Sequence, residues 1–278
     1  MNVPTPPAGE PPFRSCALTD AGMRRDANED SYCARPDLGL FVVADGLGGH
    51  PGGQLASRLV VEAIEATIAG TLDPADVARY GIAPSTDSER RARDAFHVAY
   101  QRLAMVAGEA AELYGMATTV AAVLFDDPRR NPESGAYPAV IAHVGDSRVY
   151  RLRAGRIERL THDHSWVEEQ VRAGLLESQA AREHPWRSLI TRAVSSSEEE
   201  VQPDVHRITL DTGDRLLICS DGLSSVIADD QIAAVLGERI PDRAEETICQ
   251  SLVHMANLAG GPDNITVIVV SLHSPSGV

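Results

Sequence analysis

Phe41-Val42-Val43-Ala44-Asp45-Gly46-Leu47-Gly48-Gly49-His50 runs an apolar stretch straight into a carboxylate and a glycine loop. Such a short run, rich in valine, reads as a buried strand. A charge at its end, rather than along its face, needs a reason beyond solubility. The same order recurs in Leu216-Leu217-Ile218-Cys219-Ser220-Asp221-Gly222, and Gly260-Gly261-Pro262-Asp263-Asn264 sets a third aspartate beside a glycine pair just ahead of 265–272. Taken singly, Asp next to Gly is what a turn prefers. Three strand-end aspartates together suggest one metal centre.

A fourth stretch, Gly22-Met23-Arg24-Arg25-Asp26-Ala27-Asn28-Glu29-Asp30, places Arg25 just ahead of an adjacent Glu29-Asp30 pair. Carboxylate oxygens without His or Cys ligands suit hard cations such as Mg²⁺ and Mn²⁺. A guanidinium nearby offers a planar, bidentate grip on phosphate. The combination reads as phosphate chemistry.

The ordered set Gly22…Arg25…Asn28-Glu29-Asp30, Asp45-Gly46-x-Gly48-Gly49-His50, Gly115-Met116-Ala117-Thr118-Thr119, His143-Val144-Gly145-Asp146-Ser147-Arg148, Ser220-Asp221-Gly222 and Asp263-Asn264 resembles the metal-dependent protein phosphatases of the PP2C type (PPM family) in their bacterial form. The resemblance runs from about residue 14 to 272. Each motif alone is weak, but six in the same order are specific.

Length and composition are consistent with that. A chain of 278 residues with 43% hydrophobic content can bury one sizeable core, so 13–273 is expected to be one phosphatase domain. Residues 1–12, crowded with prolines, read as a disordered tail, and 274–278 as a second short tail. A net charge of −15 repels nucleic acid and anionic lipid. All 25 basic residues are Arg, which a codon bias explains better than phosphate binding. The four cysteines share no CxxC spacing and read as free thiols of a cytoplasmic protein. No stretch is long enough to span a bilayer.

Strand patterns occur at 40–44, 118–125, 139–144, 148–152, 205–210, 215–220 and 265–272. Ala154-Gly155 predicts a hairpin, and Thr212-Gly213-Asp214 predicts another joining 205–210 to 215–220. Leu55, Leu59, Val60, Ala63, Ile64 and Ile68 fall on one helical face, as do Ala92, Ala95, Phe96, Ala99 and Leu103. A third helix is expected over 244–258. Segments 70–89 and 126–138 read as peripheral loops, and Ser165-Trp166-Val167-Glu168 as a capping box. Strand pairs kept apart from long helices argue for an α+β fold. The resemblance sharpens this to a four-layer α-β-β-α sandwich, two antiparallel sheets flanked by helices, with a small flap subdomain over about 161–192.

The resemblance also assigns roles. Asp45 is the bridging ligand of two core ions, Mn²⁺ or Mg²⁺, with the Gly46 carbonyl completing one shell and Asp221 and Asp263 holding the other ion. Glu29 and Asp30 act on the Gly46-side metal, directly or through water, and Arg25 clamps the phosphate. Asp146 carries a third, weaker metal, helped by Ser188 in the flap. Two metals ~4 Å apart can polarise the phosphoryl group and lower the pKa of a shared water. The implied reaction is hydrolysis of phosphoserine and phosphothreonine in proteins by a metal-bridging water or hydroxide, without a phosphoenzyme. Its implied partners are phosphorylated protein substrates and a cognate Ser/Thr kinase that it opposes.

Two departures stand out. Leu47 occupies the place where animal members carry a proton-donating His, and His50 reads as a structural residue. Ser195-Ser196-Ser197-Glu198 follows Arg192-Ala193 where relatives often have glycines, a change that bears on flap mobility. Thr118 and Thr119 are expected to fix the strand behind the site. His162, Asp163 and His164 have metal-like spacing but read as structural capping. Of the rivals, a non-catalytic scaffold predicts a missing metal aspartate, and none is missing. A two-metal nuclease predicts basic or aromatic substrate surface, which 4% aromatics do not supply.

Overall fold

A computed structural model describes residues 13–47, 52–127, 135–197, 200, 202–238 and 244–273. The two tails, Gly48 to His50 and most of the 126–138 segment lie outside the described residues.

Two five-stranded sheets form the centre. One has the order β1 (Phe13–Asp20), β12 (Ile265–Leu272), β11 (Arg215–Cys219), β7 (Arg148–Arg153) and β8 (Arg156–Arg159). The other runs β10 (Asp204–Asp211), β6 (Ala136–Val144), β5 (Val120–Phe125), β3 (Leu40–Asp45) and β2 (Asp30–Arg35). Every pairing within them is antiparallel. A strand covered on both faces cannot alternate polar and apolar residues, and the eight residues of β12 are accordingly all buried.

Phe41, Val43, Val123, Phe125, Ile141, Ile218, Ile268 and Val270 fill the space between the sheets. There the Phe13 and Phe125 rings stack at 4.7 Å, and Phe41 meets Phe13 edge-on at 5.7 Å. On the outer side of the second sheet lie α1 (Gly53–Ala69) and α3 (Ser88–Glu109), burying Val60, Ile64, Ile68, Ala95, Phe96 and Leu103. The first sheet is covered by α7 (Asp229–Leu236) and α8 (Ala244–Leu258) through Ile232, Leu236, Ile248 and Leu252. The expected four layers are therefore present.

Four expectations need correction. Thr212-Gly213-Asp214 makes no hairpin: β10 pairs with β6 in one sheet and β11 with β12 and β7 in the other, so the turn crosses between layers. Asp214 holds the crossing, accepting from the Asp211 amide at 2.8 Å and pairing with Arg153 at 2.5 Å. Segment 70–89 is not all loop. It contains α2 (Pro74–Tyr80), started by the Asp73 side chain, which accepts from the Ala75 amide. Run 118–125 is broken at Thr119 into β4 (Ala117–Thr118) and β5, and β4 pairs with the short β9 (Val194–Ser195). Ser165 does cap α4 (Trp166–Arg172), but the carboxylate of Glu168 turns to Arg159 at 2.5 Å, so the capping box is half made.

Segment 161–192 holds α4 and α5 (Ser178–Glu183). Its two ends are tied together where the Trp166 amide donates to the Leu189 carbonyl and the Thr191 amide to that of His164. No described helix is long and apolar enough to cross a membrane.

Candidate metal centre

Both sheets end their strands at one place. Asp30 opens β2 and Asp45 closes β3, with their Cα atoms in register across the ladder. From the other sheet, Asp221 begins the short helix α6 (Asp221–Ser224) directly after β11, and Asp263 precedes β12. Asp146 stands in the tight turn between β6 and β7. Asp30 and Asp146 are buried, while Asp45 and Asp221 are half-buried.

Hydrogen bonds to the backbone fix the chain around Asp45 and the loops on either side of it. Thr118 Oγ1 and the Thr119 amide both donate to the Asp45 carbonyl at 2.8 Å, the supporting role expected of these two threonines. Gly46 donates its amide to the Glu29 carbonyl at 3.2 Å and bridges to Thr118. Asn264 stitches the loops together: its Oδ1 accepts from the Glu29 amide, and its Nδ2 donates to the carbonyls of Ala21 and Ala27. At Gly222, a Cβ would lie 1.9 Å from the Asn264 carbonyl oxygen, so only glycine lets the two loops approach.

So many carboxylates in one place repel. Burial, and then the charges of Asp30, Asp221, Asp146 and Asp263, push Asp45 well above the usual carboxylate range. Burial lifts Asp30 to about 6, against the stabilising bond from Ser220 Oγ at 2.8 Å. Burial, helped by Asp221 and Asp163, lifts Asp146 to about 8, and Asp221 is raised by burial and Asp263. Asp221 also stands among the charges that raise Asp45, so the two carboxyls share one field. Two carboxylates so placed need a shared proton or a cation between them.

The donor chemistry fits a cation. Among the described residues, Asp30 Oδ1, Asp146 Oδ1 and Asp221 Oδ1 are buried with no hydrogen-bond partner, a cost that a native site carries when something else fills it. All are hard oxygens, the set preferred by Mg²⁺ or Mn²⁺.

Arg25 lies at the rim, half-exposed, with Nη2 donating to Asp263 Oδ2 at 2.7 Å. Glu29 packs its carboxylate against the start of α1, where a Cβ on Gly53 would meet Oε2 at 3.0 Å. Ser188 stands in an exposed turn, and among the described residues no hydrogen bond joins it to the acidic cluster. Ser220 and Arg148 were not singled out from sequence. Ser220 Oγ links Asp30 to the Thr266 amide, and Arg148 grips Asp163 at 2.6 Å behind Asp146. Their signal lay in the motifs Ser220-Asp221-Gly222 and Asp146-Ser147-Arg148, which were read only for their aspartates.

A paired-sheet α+β sandwich with an all-oxygen acidic centre at its strand ends and an arginine on the rim defines a candidate phosphoryl-handling metalloprotein. The chain belongs to the protein phosphatase 2C family, whose profile matches residues 20–257. It is 35% identical over 260 residues to the serine/threonine protein phosphatase PstP of Mycobacterium tuberculosis, covering 94% of this chain and 45% of that protein. It is 34% identical over 260 residues to the protein phosphatase PhpP of Streptococcus pneumoniae, covering 92% and 96%. The crystal structure of the catalytic domain of PstP in complex with two manganese ions superposes with a TM-score of 0.75 at 32% identity, covering 94% of this chain and 98% of that one. The chain thus spans about half the length of PstP and nearly all of PhpP.

Proposed function

We propose that this chain is a metal-dependent protein serine/threonine phosphatase that hydrolyses phosphoserine and phosphothreonine. The observation that carries the reading is the convergence of Asp30, Asp45, Asp146, Asp221 and Asp263, three of them with a buried, partnerless oxygen. Asp45 is the bridging candidate, because it feels all four of the others. Asp221 and Asp263 would hold a second ion, with the Gly46 carbonyl, Glu29 and Asp30 serving the first. When bound, Mn²⁺ or Mg²⁺ supplies Lewis acidity that offsets phosphate charge and makes a nucleophile available at neutral pH.

The chain's own residues do the rest. Arg25, on the rim, presents the planar donors that orient phosphate oxygens. Ser220 holds one oxygen of Asp30 by a hydrogen bond and leaves the other free for a ligand. Asp146, lifted to about 8 by burial and by Asp221 and Asp163, would give up its proton on binding a cation. No step assigned here needs a covalent phosphoenzyme.

The proposed substrates are phosphorylated proteins, and the proposed setting is opposition to a Ser/Thr kinase in the cytoplasm, in keeping with four free cysteines and an acidic surface. The test is phosphate release from phosphothreonine and phosphoserine peptides with Mn²⁺ titrated against EDTA. Activity that needs the cation is expected, and undiminished turnover after chelation would sink the reading.

A further inference from the structure

The four residues Thr161 to His164 form a clamp on the turn that carries Asp146. Thr161 Oγ1 accepts from the Val149 amide at 3.1 Å, and the His162 carbonyl accepts from His143 Nε2 at 2.9 Å. Asp163 takes Arg148 through both carboxylate oxygens. His164 meets Gly145 twice, its amide donating to the Gly145 carbonyl at 2.9 Å and its Nδ1 accepting from the Gly145 amide at 3.0 Å. Ser165 then caps α4. Gly145 has φ of 101°, and a Cβ there would meet Thr119 at 2.5 Å, so this turn has one tight seat.

The far edge of His164 reaches the other end of the 161–192 segment. The Gly145 amide can only donate, so Nδ1 accepts, and Nε2 on the far edge lies 3.3 Å from Asp204 Oδ2. Arg192 Nη1 donates to Asp204 Oδ1 at 2.8 Å and stands 2.8 Å from the same ring nitrogen. His143 stacks on His164 at 4.7 Å with the rings 12° from parallel. His143, His164 and Asp204 have the donor types and spacing of a metal site. The guanidinium beside Nε2, and the hydrogen bonds that already engage His164 Nδ1 and His143 Nε2, argue against a cation there.

We propose that His164 is a positioning residue for Asp146: its Nδ1 fixes the Gly145 amide next to that carboxylate, while its opposite edge faces Asp204 and Arg192 on the chain leaving the 161–192 segment. The proposal rests on the reading of Asp146 as a cation ligand. It gives the His162-Asp163-His164 motif a role in the site without making it a ligand set. Burial holds His164 neutral, which leaves Nδ1 free to accept.

Two substitutions separate the edges of the ring. An Asn side chain reaches to about the place of Nδ1, and a Gln side chain to about the place of Nε2. Mn²⁺ binding by calorimetry, melting in EDTA, and kcat against KM on a phosphothreonine peptide are to be compared for His164→Asn, His164→Gln and Asp146→Asn. His164→Gln is expected to lose roughly tenfold or more in affinity for the weakest class of Mn²⁺ sites, with kcat falling more than KM, while His164→Asn stays within about twofold of the parent. Equal losses in the two variants, tracking equal losses in melting temperature, overturn the proposal, as does parent-like behaviour in both. Asp146→Asn separates the premise: unchanged Mn²⁺ binding there removes Asp146 from the ligand set and the proposal with it. A loss in Asp146→Asn with His164→Gln at parent level overturns the role of His164 alone.

Discussion

Asp30 and Asp45 face each other across the β2–β3 ladder with their Cα atoms in register, one opening its strand and the other closing its own. Like charges directly opposite are unfavourable in a sheet. Here burial pushes both carboxyls upward in pKa, with Asp30 adding its charge at Asp45 and with Asp221 and Asp263 adding theirs at Asp30. The pair is stable when a proton or a cation lies between the sheets' ends, and that condition governs how the protein should respond to substitution.

Asp45→Ala is expected to lower kcat on a small aryl phosphate by about two orders of magnitude or more, since several kcal/mol of charge stabilisation are removed. It should also weaken Mn²⁺ binding while raising the melting temperature in EDTA, because the carboxylate most opposed by its neighbours is gone. Turnover near the parent level would remove Asp45 from the bridging role.

Arg25→Ala is expected to reduce kcat/KM by about ten- to a hundredfold, or ~1.4 to 2.7 kcal/mol. Arg25→Lys should recover only part, since an ammonium cannot present two parallel donors. Because Arg25 is paired with Asp263, its removal should leave Mn²⁺ affinity equal or tighter by calorimetry. A loss explained by weaker metal binding would return Arg25 to a structural ion pair.

Stability without metal should fall as pH rises. Asp146, raised to about 8, keeps in the folded chain a proton that the unfolded chain gives up near 3.8. The stabilisation is therefore complete below 3.8 and lost as pH climbs through 8. His164 and His206, lowered from 6.5 by burial, oppose this only below that pH. Melting temperature in EDTA should thus decline from pH 6.5 to 8, as unfolding free energy falls by up to about 1.4 kcal/mol per pH unit for each such carboxyl. With Mn²⁺ present the trend should flatten or reverse, because the cation competes with protons. A flat profile in EDTA would contradict the raised carboxyls.

Arg148→Met is expected to cost about 3 kcal/mol by chemical denaturation, since buried Asp163 would keep only the longer contact to Arg159 at 3.7 Å. The double variant Arg148→Met with Asp163→Leu should be milder than the single. Additive losses would show that the two side chains do not act as a pair.

Much of this was legible in the chain. Apolar runs ending in Asp45 and Asp221 announced both the strands and what they carry, because strand burial and a terminal charge each leave a mark in local sequence. The sheet change between β10 and β11 was not legible, since a Thr-Gly-Asp turn serves a hairpin and a layer crossing alike and only distant pairing decides. β1 and β2 escaped notice because Arg14, Ser15, Ser31 and Tyr32 dilute their pattern, the partner of β1 lies far away in sequence, and β2 is itself half-exposed. The position of Ser188 relative to the centre, like that of His164, depends on how 161–192 folds back on itself, which no local spacing encodes.

The acidic centre is assembled from both layers, with Asp30 and Asp45 riding on one sheet and Asp221 and Asp263 on the other. The Phe13, Phe41 and Phe125 cluster between the sheets is therefore also the spacer that sets the bite of the ligand set. A rivet fits only when the plates are aligned. Cation affinity becomes a gauge of how one sheet is seated on the other, and a methylene trimmed from the distant aromatic layer would be felt at the carboxylates before it was felt as unfolding.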